Sequence, residues 1–166
     1  MYPSQTFVLN QKLMSLKGDL WIEDEQGNQV FHVDGQYMSL RDTHTLLDAA
    51  GTPYYSISQS LAHLHRTFEI KRGEETVATV QQAILRLLGD RFTITLASGE
   101  QLTVKGDWID REFHVVQGTQ DVIFASRRLL SLRDKYGIQI APGFDVPFGL
   151  AIVVALERME MEERGG

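Results

Sequence analysis

The chain contains no cysteine, which excludes a disulfide framework, thiolate catalysis and a zinc–thiolate site. It has no long apolar run. The longest is Val146-Pro-Phe-Gly-Leu-Ala-Ile-Val-Val-Ala-Leu156, eleven residues, against the roughly 20 that a membrane-spanning helix needs. A buried core helix is expected there, and an integral membrane protein is not. The start, Met1-Tyr-Pro-Ser-Gln-Thr6, lacks the basic segment and apolar stretch of a secretory signal. A Met-Gly start and a C-terminal cysteine, the marks of myristoylation and prenylation, are absent too. A cytoplasmic location is the expectation. No block of like charge interrupts the chain, and the formal net charge is −6. Nucleic-acid binding, which rests on a basic surface that neutralises phosphates, is not expected.

The 166 residues are 43% hydrophobic, which fits one globular domain over residues 1–166 and is too apolar for disorder. A faint sixfold repeat runs through the first 140 or so positions. Each copy has an aliphatic residue, an apolar one four positions on, and an aliphatic one two further. The copies are Leu16/Leu20/Ile22, Leu40/His44/Leu46, Leu64/Phe68/Ile70, Leu88/Phe92/Ile94, Ile109/Phe113/Val115 and Leu132/Tyr136/Ile138. Successive copies start 24, 24, 24, 21 and 23 residues apart, and His44 alone breaks the apolar pattern. Between copies lie turn-like stretches, each with a glycine that can supply the positive φ of a tight hairpin: Asp24–Asn28, Asp48–Pro53, Lys71–Glu75, Ala97–Glu100 and Val116–Gln120.

Apolar and polar residues alternate on both sides of a central bend in most segments, as in Thr76-Val-Ala-Thr-Val80 before Leu88-Gly-Asp90 and Arg91-Phe-Thr-Ile-Thr-Leu96 after it. Period-two alternation marks half-buried strands. Two strands in each of six segments give about twelve antiparallel strands joined as a meander. Ala83–Leu88 also fits a turn or two of helix, but the regular spacing favours a strand-to-strand connection. Gly89-Asp90 and Gly106-Asp107 are expected as turn dipeptides.

The terminal helix is expected over about 146–163. Pro142-Gly143 breaks the preceding strand, Asp145 is a good N-cap and Pro147 suits the first turn. From Phe148 to Leu156 it is apolar all round, as a helix enclosed on every side should be. Glu157, Glu160, Glu162 and Glu163 suggest that its last turns emerge into solvent. Eight strands make a barrel that their own side chains fill, and more strands leave a cavity. Twelve strands over about 5–141 therefore predict a mainly β fold, a closed antiparallel barrel threaded by one hydrophobic helix. A β-sandwich would bury only one stripe of that helix. A transmembrane barrel would need an export signal and an apolar outer face.

Gln11–Leu16, Phe31-His-Val-Asp-Gly35, Arg128–Gly137 and Leu150–Leu156 resemble the LURP-one-related family, in particular its bacterial YxjI-type branch. The resemblance spans nearly the whole chain, and its motifs are the repeat and the helix themselves. It implies a tubby-like fold, a twelve-stranded barrel around a hydrophobic C-terminal helix. It also implies distant kinship with phospholipid scramblases and with tubby proteins that bind phosphoinositides.

Little of the sequence suggests chemistry. His63 and His65 would share one face of a strand and could begin a metal site, but the sequence places no third ligand beside them. His32, His44 and His114 read as surface or locally bonded. Asp107, Asp110 and Glu112 surround Trp108, a pattern that more often marks a solvated bend than an acid–base pair. Glu23, Asp24 and Glu25 fall at a hairpin tip. No nucleophile elbow, P-loop or dinucleotide fingerprint occurs. The expectation is a binding or scaffold module without catalytic residues, metal or cofactor. Its partner would be a protein, or an anionic lipid headgroup met by Arg127, Arg128, Arg133 and Lys135. The alternative is a scramblase-like or lipid-transfer protein whose barrel encloses an acyl chain.

Overall fold

A computed structural model describes residues 5–10, 20–36, 43–60, 67–83, 90–107, 112–126 and 135–165. Twelve strands and one helix occupy them. The strands are β1 (Gln5–Asn10), β2 (Leu20–Asp24), β3 (Gln29–Gln36), β4 (Thr43–Asp48), β5 (Pro53–Ser60) and β6 (Thr67–Arg72). They continue as β7 (Glu75–Gln82), β8 (Asp90–Leu96), β9 (Gln101–Asp107), β10 (Glu112–Gln117), β11 (Gln120–Ser126) and β12 (Lys135–Ile140), followed by α1 (Val146–Gly165). Each strand pairs antiparallel with its neighbours in sequence. β1 pairs with β12, Gln5 opposite Ile140 and Asn10 opposite Lys135, which closes the barrel. Closure leaves no sheet edge open for pairing with another chain.

The last two positions of the repeat fall on the even-numbered strands and mark their inward face; the first position of each copy and the Tyr136 side chain lie outside the described residues. Leu20 and Ile22 on β2, Phe68 and Ile70 on β6, Phe92 and Ile94 on β8, and Phe113 and Val115 on β10 are buried, as are Leu46 on β4 and Ile138 on β12. His44 keeps the inward register of Leu46, directly opposite Gly35 on β3 and Ile57 on β5. Many outward positions of the same sheet are polar, for example Thr79, Thr93, Thr95, Thr103 and Lys105. That is the reverse of the apolar outer band that a lipid-facing barrel presents.

The glycine turns fall where the spacing places them. Three hairpins share one geometry. In β2–β3 the Asp24 amide donates to the Asn28 carbonyl at 2.9 Å and the Gly27 amide to the Asp24 carbonyl at 3.1 Å, with the same bonds at Asp48/Gly51/Thr52 and Leu96/Gly99/Glu100. The glycine of each lies at φ +84 to +91, the left-handed residue that ends a three-residue hairpin loop. Asp24 reinforces its turn from the side chain, accepting from the Gln26 and Asn28 amides and from the Asn28 side chain. Those bonds to the ionised form hold its carboxyl below the ordinary value. Asp48 accepts the equivalent amides of Ala50 and Thr52.

Gly106-Asp107 is not a turn: both residues belong to β9, with Gly106 opposite Phe113 and Asp107 opposite Glu112 on β10. A Cβ on Gly106 would collide with the Glu112 carbonyl oxygen and lie 2.6 Å from Phe113 Cα, and φ there is +156. The residue is glycine so that two backbones can approach, a role that a dipeptide pattern shares with turns. Gly89 and the Ala83–Leu88 alternative lie outside the described residues, apart from Ala83 itself.

α1 runs down the lumen. Asp145 caps it: Oδ2 accepts the Phe148 amide at 3.0 Å, and the Gly149 amide makes the first helical bond to the Asp145 carbonyl at 2.9 Å. Every residue from Leu150 to Leu156, and Met159, is fully buried. Gly149 lets the helix approach β12, because a Cβ there would lie 2.7 Å from Ile140 Cδ1. The expected emergence after Leu156 is corrected. Glu157, Arg158 and Glu160 are buried as well, so enclosure continues past the last aliphatic residue, while the side chains of Glu162 and Glu163 lie outside the described residues.

Val153→Asp places an unpartnered carboxylate in mid-lumen, at a cost of several kcal/mol, comparable to typical total stability. Calorimetry should show loss of the cooperative unfolding transition. Gly106→Ala, at an exposed position, should lower stability by about 1–3 kcal/mol through backbone collision, measured by urea titration. The control Ser98→Ala should shift the midpoint far less.

Candidate functional site

Most of the sequence-derived candidates fall outside the described residues. Arg127, Arg128 and Arg133 lie outside the described residues, as does the side chain of Lys135, whose backbone belongs to β12. His63, His65, Trp108 and Asp110 are also outside them, together with the side chain of Asp107. His32 is outward on β3 and stacks on the directly opposite Trp21 of β2, centroids 4.6 Å apart. His114 is outward on β10, stacked on Phe124 at 4.6 Å, with Nδ1 3.0 Å from Asp121 Oδ2. Glu112 accepts the Ser126 hydroxyl at 3.1 Å from the opposite strand. It therefore ties β10 to β11 and has no carboxylate partner in that bond. Among the described residues, no three His, Asp or Glu side chains gather as a metal site would require.

Among the described residues, two grooves lie at the end of the barrel where the glycine turns cluster and α1 begins. One groove of about 240 Å³ runs between the start of β1 and the β2–β3 turn, lined by Gln5, Thr6, Phe7, Asp24, Glu25 and Gln26. A second, of about 300 Å³, is lined by Tyr55, Arg72, Val77, Leu96, Ala97, Ser98, Asp145 and Phe148. Its composition follows from strand register. Tyr55 on β5 holds the inward register of Ile57, and Arg72 on β6 continues the inward register of Phe68 and Ile70. Arg72 is the last residue of its strand, so its side chain crosses the mouth of the barrel and does not enter the core.

There it begins a polar relay. Arg72 Nη2 donates to the Tyr55 hydroxyl at 2.6 Å, and the guanidinium carbon sits 5.2 Å from the Tyr55 ring centroid. The Tyr55 hydroxyl donates to Asp145 Oδ2 at 3.3 Å, and Asp145 caps the helix. Burial raises the Tyr55 pKa above its ordinary value, with the Asp145 charge adding to the shift and Arg72 opposing it. The phenol thus stays protonated and bridges donor to acceptor. Beneath it Phe148 packs on Tyr55 at 5.6 Å and on Phe144 at 6.0 Å. The helix start is therefore held to β5 and β6 by hydrogen bonds as well as by apolar contact.

None of these groove residues stood out as a candidate in the sequence except Asp145, read as a cap. A signal was present: Arg72 is a charged residue two positions beyond Ile70, in the inward register. A charge at that register can only be accommodated at a rim.

The LURP-one-related family model matches residues 5–157. A Bacillus subtilis protein, uncharacterized protein YxjI, is 32% identical over 149 residues, covering 90% of this chain and 90% of that one. The Arabidopsis thaliana protein LURP-one-related 15 is 24% identical over 180 residues, covering 98% of this chain and 83% of the relative. A solved Arabidopsis thaliana structure superposes with a TM-score of 0.72 at 22% identity, over 95% of this chain and 92% of that one, so the two share the fold.

Tyr55→Phe removes the bridge between Arg72 and the cap and should cost about 1–2 kcal/mol, read as a lower thermal midpoint. The raised folded pKa also sets a sign. Stability is unaffected below pH 10.0, the unfolded value, and falls as pH climbs from there through the higher folded pKa, because the unfolded chain loses its phenol proton first. Urea titrations across that range should show the decline in the parent and a shallower one in Tyr55→Phe. With its repeat, its barrel and its helix matched from residue 5 to residue 157, the chain belongs to the LURP-one-related family.

Proposed function

We propose that this chain is a non-enzymatic binding or scaffold module that works in the cytoplasm through its outer surface and rims. The observation that carries this is the filled lumen: from Gly149 to Glu160 the helix is buried, with Leu150 to Leu156 at 0% exposure. A lipid carrier must offer a free cavity or expel its helix. Expulsion would expose Leu150, Ile152, Val153, Val154 and Leu156 to water, at roughly 1.5–3 kcal/mol for each large side chain. A binding module makes no such demand. Strand pairing around a closed barrel also removes the edge that β-strand addition uses, so a protein partner would be read by side chains and turns. The polar outward positions, Thr79, Thr93, Thr103 and Lys105 among them, suit a face that meets water between encounters.

Native mass spectrometry of the protein purified without detergent tests the filled-lumen reading. The bare polypeptide mass is expected, and a stoichiometrically retained lipid would sink the proposal in favour of a carrier. Flotation with phosphoinositide vesicles at low salt separates the partner classes. No flotation is expected for a protein-binding module. Flotation that is lost on replacing Arg127, Arg128, Arg133 and Lys135 with Gln would assign a headgroup site to those residues instead.

A further inference from the structure

The groove at the helix entrance has the chemistry of a specific ligand class. Its floor is apolar and aromatic, made by Val77 on β7, Leu96 on β8 and Phe148 on α1. Its polar wall is rich in donors. Arg72 spends one N–H on the Tyr55 hydroxyl, and that phenol is neutral. Asp145 and Glu75 lie close enough to act on the Arg72 charge, but neither is hydrogen-bonded to it among the described residues, and a guanidinium carries five N–H donors and no acceptor. The Ser98 hydroxyl oxygen accepts from the Glu100 amide at 3.3 Å, which leaves its proton to donate.

One oxygen of the carboxylate in the wall is already engaged. Asp145 Oδ2 takes both the Phe148 amide and the Tyr55 hydroxyl, and the positive end of the helix dipole offsets its charge. The unspent donor capacity of the wall is therefore a cation and a hydroxyl facing an apolar floor. Ligand sites typically combine a largely apolar lining with a few converging polar groups, over volumes of about 300–1,000 Å³. At about 300 Å³ this groove is at the small end.

We propose that this groove binds a small soluble organic carboxylate with a compact aromatic or aliphatic body. The carboxylate pairs with Arg72 and accepts the Ser98 hydroxyl, and the body lies on Val77, Leu96 and Phe148. Planar carboxylate recognition is what the guanidinium fork does best. Stacking over Tyr55 and the bond to its hydroxyl hold the guanidinium over the groove before the ligand arrives, which lowers the ordering cost of binding. The proposal rests on the reading of the protein as a binding module and gives one rim of that module a ligand. Because the groove closes on the N-terminal turn of α1, an occupied site would also bear on the cap that anchors the helix.

The probes are 3-phenylpropanoate and octanoate, with 3-phenylpropanamide as the uncharged counterpart, titrated into the 15N-labelled full chain. Saturable shifts are expected for the carboxylates at the Arg72 side chain and at the Ser98 and Phe148 amides, with much weaker binding of the amide. Arg72→Gln should weaken carboxylate binding by about tenfold or more, the worth of a charged hydrogen bond, and Ser98→Ala by several-fold. Both variants should keep the spectrum of the folded barrel. If Arg72→Gln proves misfolded, Ser98→Ala together with the carboxylate–amide comparison decides the question. Equal binding of acid and amide, unchanged affinity in Ser98→Ala, or no saturable shift at the groove would overturn the proposal. So would shifts at these residues from phosphatidylserine vesicles but not from the soluble acids, since they would make the groove a membrane contact. Failure here leaves the module reading intact, because that reading falls only on a lipid retained inside the barrel.

Discussion

The fold depends on the mutual burial of one helix and twelve strands. A barrel of this strand number cannot fill its own lumen with side chains, and a helix apolar on every face cannot remain in water. Each solves the other's problem. The inward residues of the strands, from Phe7 and Leu9 on β1 to Ile138 and Ile140 on β12, form one core with Leu150 to Leu156. The arrangement also couples the two ends of the chain, because β1 pairs with β12 and α1 follows immediately. Closure and plugging both use the last segment, so the structure is completed by its most distant contacts, the topology associated with slow folding.

The two ends of the helix meet different surroundings. At its start, Asp145, Tyr55 and Arg72 form a chain of hydrogen bonds from the cap to the rim. Further along, Glu157, Arg158 and Glu160 are buried where the sequence turns charged. Buried charges are costly unless paired and hydrogen-bonded, and all three residues have partners. The apolar stretch fixes where the helix sits across the middle of the lumen, and the polar groups at either side oppose its sliding.

With the lumen occupied and every strand paired, the rims and the outer wall are the surfaces open to a partner. The rim nearest the helix start has a groove whose cation, Arg72, belongs to the inward register of its strand. A neutral phenol, kept protonated by burial, positions that guanidinium without neutralising it. This is how a barrel can carry a cation at its mouth while its core stays apolar.

Much of the architecture is written in local pattern. Period-two alternation, glycines at hairpin spacing and an eleven-residue apolar run after Asp145 are short-range facts, and they were enough for strand number, turn positions, the cap and the enclosed helix. Gly106 was misread because a Gly-Asp pair marks a turn and a close backbone approach equally well, and the Phe113 backbone opposite it decides between them. The extent of helix burial was misjudged at Glu157 because enclosure is a property of the assembled fold. The groove was hidden for the same reason: Tyr55, Arg72, Ser98 and Asp145 are up to 90 positions apart. The sequence by itself determined which residues face inward wherever the two-residue period runs unbroken, and bulges interrupt it in five of the strand pairings. Only the tertiary structure decided which inward positions lie at a rim and which side chains meet there, because both follow from strand stagger and closure.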